Sequence, residues 1–195
     1  MYIHNHNLVD GDVNYLWAEK NTVSLKTIDT IVIHYTAAGD ALSSAQFLSN
    51  PNTKASAHLV ISRKGLIYQL VDFRTQAWHT GQSRLNFRDN VNEFSIGIEL
   101  ENPGQLIQKL NGFYTWYGKK IIEKQVEEHP HPKTGQPSFW HSYTLFQLKV
   151  VREICILLKQ HYPIKYLVGN SDISLIGKLD PGPAFPLRAL KDAIL

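Results

Sequence analysis

Apolar and polar positions alternate along this chain with a period of two in several short segments. The β-branched run at 31–33 predicts a buried strand over residues 29–35. Two apolar runs, 57–62 and 66–71, flank a turn that contains Gly65 and predict a β-hairpin. A further strand is predicted over 164–168. Residues 94–101 alternate strictly, so that four apolar side chains face one way and four others the opposite way: Phe94, Ile96, Ile98 and Leu100 against Ser95, Gly97, Glu99 and Glu101.

Helical spacing of apolar residues appears in three other segments, 41–49, 143–161 and 186–195. The second is the longest, and its stripe consists of Leu145, Leu148, Val151, Cys155 and Leu158. Strands and helices alternate irregularly in this order. The pattern predicts an α/β (α+β) fold with a mixed central β-sheet flanked by helices.

Two segments show no clear period. Residues 1–27 are interpreted as a flexible terminus. Residues 103–141 are rich in proline, glycine, histidine and aromatic residues and are interpreted as an inserted loop that could include a hairpin. A loop of that length in a compact domain suggests a function, and its aromatic residues either pack on the domain, which we favour, or dock a protein partner. The whole chain, 1–195, is predicted to form a single domain that carries this insert.

Composition narrows the classes of function. The chain has 195 residues, is 43% hydrophobic and carries a net charge of +3, which supports a full core and fits nucleic-acid binding poorly. Cys155 is the only cysteine, so no intramolecular disulfide can form, and its helical position favours a core thiol. No apolar run reaches about 18 residues, and the first residues lack a signal-peptide core. We therefore expect a cytoplasmic monomer without membrane contact, with a periplasmic or secreted location open if a signal was removed.

The segment 169–185 is predicted to be a loop of fixed shape, without helix or strand. Pro181, Gly182 and Pro183 mark a rigid turn, and the proline after Asp180 biases that residue to extended backbone. Such a loop would aim the side chains of Lys178 and Asp180. His34 lies at the end of the first predicted strand, and a histidine with an aspartate is a plausible pair of zinc ligands.

Glycine in a strand often lets another group approach closely, and Gly97 stands beside two acids. For Glu99 we favour a functional role, whereas for Glu101 a solvated strand face is the better interpretation. His58 is expected to be a hydrogen-bonded structural histidine.

Five blocks of residues, in this order along the chain, together resemble one enzyme family. They are 32–36, 56–58, 77–81, 94–101 and 178–185. The chain resembles the zinc-dependent N-acetylmuramoyl-L-alanine amidases of the AmpD type, which are related to the peptidoglycan recognition proteins, and the resemblance spans about residues 28–190. It implies an enzyme that hydrolyses the amide between the lactyl group of N-acetylmuramic acid and L-alanine of the peptidoglycan stem peptide.

The resemblance also implies roles for residues of this chain. His34 and Asp180 match zinc ligands, and one Zn²⁺ would activate a water molecule. Glu99 matches the catalytic acid and base, and Lys178 the cation that stabilises the oxyanion. Tyr35, Trp78 and His79 match a pocket suited to sugar or peptide, and muropeptides are the implied ligands.

One position departs from the family pattern. Asn170 lies ten residues before Asp180, where the family has the second zinc-ligand histidine. A neutral amide is a poor zinc donor compared with imidazole, so the zinc is expected to be weak or absent and the activity impaired. Three explanations remain open: a deliberate His→Asn substitution in an active amidase, a natural relative that binds muropeptide without cutting it, or completion of the site by another histidine such as His79 or His141.

Overall fold

The computed structural model describes residues 1–9 and 12–195. Four helices are present in these residues: α1 (Ala41–Ser49), α2 (Leu145–His161), α3 (Asn170–Ile173) and α4 (Leu187–Ile194). The strands are β1 (Tyr2–His4), β2 (Asn7–Val9), β3 (Val13–Tyr15), β4 (Thr30–Tyr35), β5 (Leu59–Ile61), β6 (Ile67–Gln69), β7 (Arg84–Leu85), β8 (Arg88–Asp89), β9 (Ser95–Leu100), β10 (Gln105–Lys109), β11 (Gly112–Tyr114), β12 (Lys120–Ile121), β13 (Val126–Pro130), β14 (Pro137–His141) and β15 (Tyr166–Gly169).

A mixed six-stranded sheet forms the centre of the molecule, with strand order β15-β4-β9-β5-β6-β3. β15, β4, β9 and β5 run parallel to one another, and β5 and β6 form the predicted antiparallel hairpin. β4 and β9, two adjacent inner strands with strong apolar patterns, are almost fully buried. The predicted α+β class, with a central sheet flanked by helices, is therefore confirmed.

α2 and α4 cover one face of this sheet. Ile31 and Ile33 of β4 and Ile96 and Ile98 of β9 point into this core, as the alternation predicts. Cys155 of α2 is fully buried there, and burial raises the pKa of its thiol to about 12, which confirms a structural thiol. The predicted apolar stripe of this helix is wrong at its first member, because Leu145 begins the helix and is 87% exposed. None of the described helices is both long and apolar enough to cross a membrane.

The opposite face of the sheet is only partly covered. α1 packs there through Ala41, Ala45 and Leu48, capped at its start by the side chain of Asp40, which accepts from the backbone N–H of Ser43 at 2.7 Å. α1 leaves the carboxyl ends of β4 and β9 open. Ligands of open α/β sheets commonly bind at that end, and the polar residues of the central strands lie there.

The insert differs from its sequence interpretation. Instead of a loop that includes a hairpin, it forms an antiparallel five-stranded sheet with order β12-β11-β10-β14-β13. Phe113 and Phe139 pack with ring centroids 4.7 Å apart, and Trp140 is 1% exposed. These three aromatic side chains pack within the insert, which agrees with the favoured interpretation for them, whereas Trp116 is 66% exposed.

The amino-terminal segment is also more ordered than predicted, within the described part of 1–27, which excludes positions 10 and 11. β1 and β2 form a hairpin, and β3 adds to the edge of the central sheet beside β6. Leu8 is fully buried, and the imidazole of His6 hydrogen-bonds the hydroxyl of Tyr162 at 2.8 Å. The prediction of a flexible terminus is therefore wrong. The segment is attached by single apolar side chains and by backbone pairing, and neither produces a periodic pattern in the sequence.

Candidate functional site

Three of the predicted site residues meet where parallel strands end. His34 pairs with Glu99 across β4 and β9, so both side chains leave the same face of the sheet at the same level. On the other side of β4, Gly169 pairs with Ile33, which places the next residue, Asn170, beside His34. Residues far apart in sequence are brought together because the carboxyl ends of parallel strands share one edge of a sheet.

The segment after β15 begins with a helical turn, which corrects the prediction of a loop throughout 169–185. The N–H of Gly169 donates to the carboxylate of Asp172 at 3.1 Å, and this bond stabilises the turn α3. The rest of the segment is irregular, as predicted, and contains a cis peptide bond between Asp180 and Pro181. The N–H of Ser171 donates to the carbonyl of Asp180 at 2.8 Å. This bond holds Asp180 against the start of α3.

His34, Asn170 and Asp180 form one buried hydrogen-bonded group. Nδ1 of His34 donates to Oδ2 of Asp180 at 2.8 Å, and Nδ2 of Asn170 donates to Oδ1 of the same carboxylate at 3.1 Å. Burial alone would lower the pKa of His34, but the hydrogen bond to Asp180 and the negative charges of Glu99 and Asp180 outweigh it and raise that pKa. The three residues that the resemblance assigns to the metal are therefore neighbours.

His79 lies against His34. The distance between Nδ1 of His79 and Nε2 of His34 is 2.9 Å, and Nε2 of His79 is 3.2 Å from the hydroxyl of Ser95. That hydroxyl donates to the carbonyl of Val91 at 2.7 Å, so it accepts from His79. Nδ1 of His79 is then an acceptor, which fits a neutral ring, and His34 donates through both nitrogens.

The charge states agree with these directions. The pKa of His79 falls well below its ordinary value because the ring is buried and lies beside His34 and His58. His79 reaches this place because Gly97 has no side chain: a Cβ there would lie 2.4 Å from Cγ of His79. The predicted close approach at this glycine is confirmed, and the approaching group is the imidazole of His79.

His58 is a structural histidine, as predicted. Its Nε2 hydrogen-bonds the carbonyl of Thr75 at 2.9 Å, and its Nδ1 accepts from the N–H of Gly97 at 3.0 Å. Burial lowers the pKa of this ring to about 4. Both nitrogens are used, so His58 supports β9 and is not available as a ligand.

Glu99 is the acid of the site. It is partly exposed, yet its Oε2 is buried and has no hydrogen-bond partner in the described residues. Burial raises the pKa of Glu99 from 4.5 to about 7, and the negative charge of Asp180 adds to this effect, while His34 and Lys178 oppose it. A carboxyl group with such a pKa can both accept and donate a proton near neutral pH.

The remaining predicted residues surround this group. Tyr35 packs over Gly104, and burial together with the charges of Asp180 and Glu99 raises the pKa of its phenol to about 12. Lys178 is exposed and is close enough for its charge to act on His34 and Glu99. Trp78 is 36% exposed. Substrate contact by Tyr35, Trp78 and His79 stays a prediction.

His141 does not join the site, which removes it as a replacement ligand. It ends β14 of the insert, and its Nδ1 is 3.3 Å from the guanidinium of Arg63. His79 contacts Nε2 of His34, whereas Asp180 contacts Nδ1 of the same ring. His79 therefore lies on the other side of His34 from Asp180 and does not complete the set of zinc ligands either.

Sequence reasoning did not identify the residues that hold the site in shape. Asn92 accepts from the N–H groups of His79 and Thr80 through Oδ1, at 3.0 Å in both cases. Tyr143 donates its buried hydroxyl to the carbonyl of Pro181 at 2.7 Å. No periodic or motif signal marks either residue, because each acts on backbone groups remote in sequence.

Comparison with known proteins identifies the family of this chain. A profile of the N-acetylmuramoyl-L-alanine amidase family (Amidase_2) matches residues 24–183. The 1,6-anhydro-N-acetylmuramyl-L-alanine amidase AmpD of Escherichia coli K12 is 28% identical over 187 residues, which are 95% of this chain and 76% of that protein. The N-acetylmuramoyl-L-alanine amidase AmiD of the same strain is 28% identical over 172 residues, covering 84% of this chain and 52% of AmiD.

Solved structures show the same fold. A crystal structure of AmpD superposes with a TM-score of 0.67 at 22% identity and full coverage of both chains. The complex of E. coli AmiD with the substrate anhydro-N-acetylmuramic acid-L-Ala-D-γ-Glu-L-Lys gives a TM-score of 0.65 at 27% identity, over 87% of this chain and 58% of AmiD.

The family match and the shared fold together define an amidase-type hydrolase on a mixed sheet. The chain belongs to the N-acetylmuramoyl-L-alanine amidase family. Its enzyme class is accordingly that of an amidase.

The side chains present do not form a complete zinc site of the kind expected for this family. In residues 1–9 and 12–195 no group of three His, Cys, Asp or Glu side chains is arranged to hold a metal ion. His34 and Asp180 supply one imidazole and one carboxylate, and the third neighbour is the amide of Asn170, whose Oδ1 is buried without a hydrogen-bond partner. A neutral amide oxygen is a weak zinc ligand, so the donor set is short of one strong member.

Proposed function

We propose that this chain recognises muropeptides and acts on the amide between the lactyl group of N-acetylmuramic acid and L-alanine, with hydrolysis impaired in the chain as it stands. The observation that supports this proposal is the position of Asn170. It lies at hydrogen-bond distance from Asp180 and next to His34, while Glu99 and Lys178 are retained around it. The site is that of an amidase in which a single ligand is replaced.

The proposed roles are those that the resemblance implies, and the raised pKa of Glu99 supports one of them. Glu99, with its raised pKa, moves the proton from the attacking water to the leaving amine. Lys178 supplies positive charge for the developing oxyanion. Trp78, Tyr35 and His79 contact the sugar or peptide. Muropeptides of the kind bound to AmiD, a peptide L-Ala-D-γ-Glu-L-Lys on anhydro-N-acetylmuramic acid, are the proposed ligands, in peptidoglycan degradation or muropeptide recycling.

A second candidate is a muropeptide-binding protein without chemistry. One observation favours it: Asp180 uses both carboxylate oxygens for His34 and Asn170, so the group closes on itself without a metal. Such a protein would bind muropeptide in the same way with and without a chelator.

Metal content and amidase activity of the chain and of Asn170→His test the proposal. Loss of a group that only orients a ligand costs about 10–100-fold in metal affinity, and loss of a ligand itself should cost more. We expect less than stoichiometric zinc and slow release of stem peptide from the chain, and about one zinc per chain with release at least 100-fold faster from Asn170→His. Asn111→His, in the exposed turn between β10 and β11, controls for adventitious binding by an added imidazole.

The outcomes separate the two candidates. Zinc bound by Asn170→His without any release of stem peptide would favour the binding protein. Stoichiometric zinc in the chain as it stands would contradict the proposed defect. The monomeric state and cytoplasmic location expected from the sequence belong to the same proposal, and size-exclusion chromatography and cell fractionation test them.

A further inference from the structure

A polar cavity of about 290 Å³ lies between the central sheet and the insert. We call it the insert pocket and define it by six of its lining residues: Arg63, Glu101, Tyr117, Lys119, Lys120 and His141. Three of the four chain segments that supply them, 117–120, 101 and 141, belong to the insert or its junction with β9. The pocket is therefore a product of the insert.

The charges that line the insert pocket are mostly positive and mostly unpaired. Lys119 and Lys120 are exposed, and neither ammonium group has a hydrogen bond or ion pair in the described residues. Arg63 uses one guanidinium nitrogen, which donates to the carbonyl of Ser142 at 2.7 Å. Glu101 was expected on a solvated face, but its carboxylate accepts from the backbone N–H of Arg63 at 3.0 Å. Its negative charge acts on Arg63, and in the described residues it forms no ion pair with Arg63, Lys119 or Lys120.

His141 adds a buried donor without a partner. It is 5% exposed, and burial, with the charges of Arg63 and Lys119, lowers its pKa to about 4, so the ring is neutral at neutral pH. Nδ1 accepts from Arg63, which places the ring proton on Nε2. Nε2 has no hydrogen-bond partner in the described residues. A buried donor left unpaired beside three cations fits an anion acceptor as the missing partner.

The insert pocket lies next to the cavity that contains Glu99. Ala38 lines both the insert pocket and the neighbouring cavity that contains Glu99. Glu99 and Glu101 project from the same face of one strand, two residues and therefore about 7 Å apart. Trp116 of the insert donates its indole N–H to the carbonyl of Ala37 at 2.7 Å and fixes the insert to the loop that separates the two cavities.

We propose that the insert pocket is a subsite of the cleft that binds a free carboxylate of the stem peptide. This inference rests on the proposed function, which places the scissile amide beside Glu99. In the peptide L-Ala-D-γ-Glu-L-Lys two free carboxylates are available, the α-carboxylate of the γ-linked glutamate and the carboxyl end of the lysine. The glutamate carboxylate belongs to the second residue after the scissile amide, about 7 Å away in an extended peptide, and its reach matches the distance from Glu99 to the pocket.

Calorimetric binding with matched ligands tests this assignment. The ligands are anhydro-N-acetylmuramic acid-L-Ala-D-γ-Glu-L-Lys, the same compound with the glutamate α-carboxylate amidated, and the same compound with the lysine carboxyl end amidated. The proteins are the chain as it stands, Lys119→Ala/Lys120→Ala, and Lys124→Ala, an exposed lysine of the insert outside the pocket. A chelator is present throughout, so that Kd is measured on uncut ligand.

We expect the Lys119→Ala/Lys120→Ala variant to bind the parent ligand at least ~10-fold more weakly, as for loss of a hydrogen bond to a charged group, and Lys124→Ala to bind it normally. Amidation of the carboxylate that occupies the pocket should weaken binding to the unaltered chain by a similar factor. The same amidation should weaken binding to the double variant by less than about 2-fold, because the lysine substitutions have already removed the interaction. The amidated ligand that shows this coupling, the one changed at glutamate or the one changed at lysine, identifies which carboxylate is bound.

Two results would overturn the insert pocket as a carboxylate subsite and leave the proposed function intact. One is that each amidation weakens binding to the unaltered chain and to the double variant by the same factor, and the other is that neither amidation weakens binding. Absence of binding of all three ligands to the chain would instead overturn the proposed function. As a second readout, ligand binding should raise the pKa of His141 in NMR titrations, since a carboxylate against Nε2 favours the charged ring.

Discussion

The imidazole of His34 and the carboxylate of Asp180, 146 positions apart in the chain, are joined by a hydrogen bond of 2.8 Å in the interior of the protein. Burial works against a charged imidazole, so the raised pKa of His34 depends on this carboxylate and on the charge of Glu99. Asn170 donates to the second oxygen of the same carboxylate. The bond between His34 and Asp180 therefore favours the charged form of His34.

In the metal-free protein, Asp180→Asn should lower the pKa of His34 below its ordinary 6.5, because burial is then no longer outweighed. In the unaltered chain the raised pKa of His34 contributes stability that is full below pH 6.5 and is lost as the pH rises through the folded-state pKa. NMR titration of the imidazole in a chelating buffer measures both effects. Asp89→Asn, which breaks only the exposed pair with Arg84, should leave His34 unchanged, and an unchanged His34 in Asp180→Asn would contradict the argument.

Glu99→Gln should make the protein more stable at alkaline pH. The folded-state pKa of Glu99 is about 7 against 4.5 in the unfolded chain, so its stability contribution is present below pH 4.5 and is lost as the pH rises through 7. Glutamine does not ionise, and the variant should gain up to about 3 kcal/mol at pH 8 and little at pH 4.5. Urea unfolding at the two pH values measures the difference. Glu128→Gln, on the exposed side of the insert, should show no such gain, and a gain of equal size there would refute the assignment to Glu99.

Gly97→Ala should disturb the site through His79. The added Cβ would lie 2.4 Å from the His79 ring, so the ring must move and its contact with His34 is lost. Overpacking of this kind typically costs about 1–3 kcal/mol. The double variant Gly97→Ala/His79→Ala removes the clash and should be more stable than the sum of the two single losses predicts. Chemical denaturation of the four proteins gives the coupling, and strict additivity would show that the clash is not the cause.

Tyr143→Phe should destabilise the segment that carries Asp180. The change removes the buried hydroxyl that donates to the carbonyl of Pro181 at 2.7 Å, and an acceptor left unpaired in the interior costs about 1–3 kcal/mol. Tyr114→Phe is the matched control, because its hydroxyl contacts Asn111 at the surface and should cost less than about 0.5 kcal/mol. Thermal unfolding compares the two variants. Equal losses would show that the buried bond does not hold this segment.

Five of the six strands of the central sheet could be predicted because each carries its own signal, and only the edge strand β3 was missed. The alternation at 94–101 placed Ile96 and Ile98 in the core and Glu99 on the functional face, and the structure agrees. The helices at 41–49 and 143–161 were found for the same reason, since burial of one face imposes a period of 3.6. Where the signal was weak, as at 1–27 and 103–141, the prediction was wrong or incomplete.

The strands of the insert were missed because pairing, rather than periodicity, makes them. β10 is largely exposed and alternates poorly, yet it hydrogen-bonds to β11 and β14 and becomes the middle strand of the sheet. A strand of this kind is stabilised by backbone bonds to partners that are distant in the sequence, and no window of the sequence contains them.

The sequence by itself determined which chemical groups this protein has, among them His34, Glu99, Lys178 and Asp180, with an amide at Asn170 where the proposed zinc site would take an imidazole. Only the tertiary structure decided how they are used. It brought His79 onto Gly97 and against His34, turned Asn170 toward Asp180, and placed Arg63, Lys119 and His141 around one pocket. The physical reason is that composition and period are local properties, whereas distance, burial and charge state depend on residues brought together by the sheet.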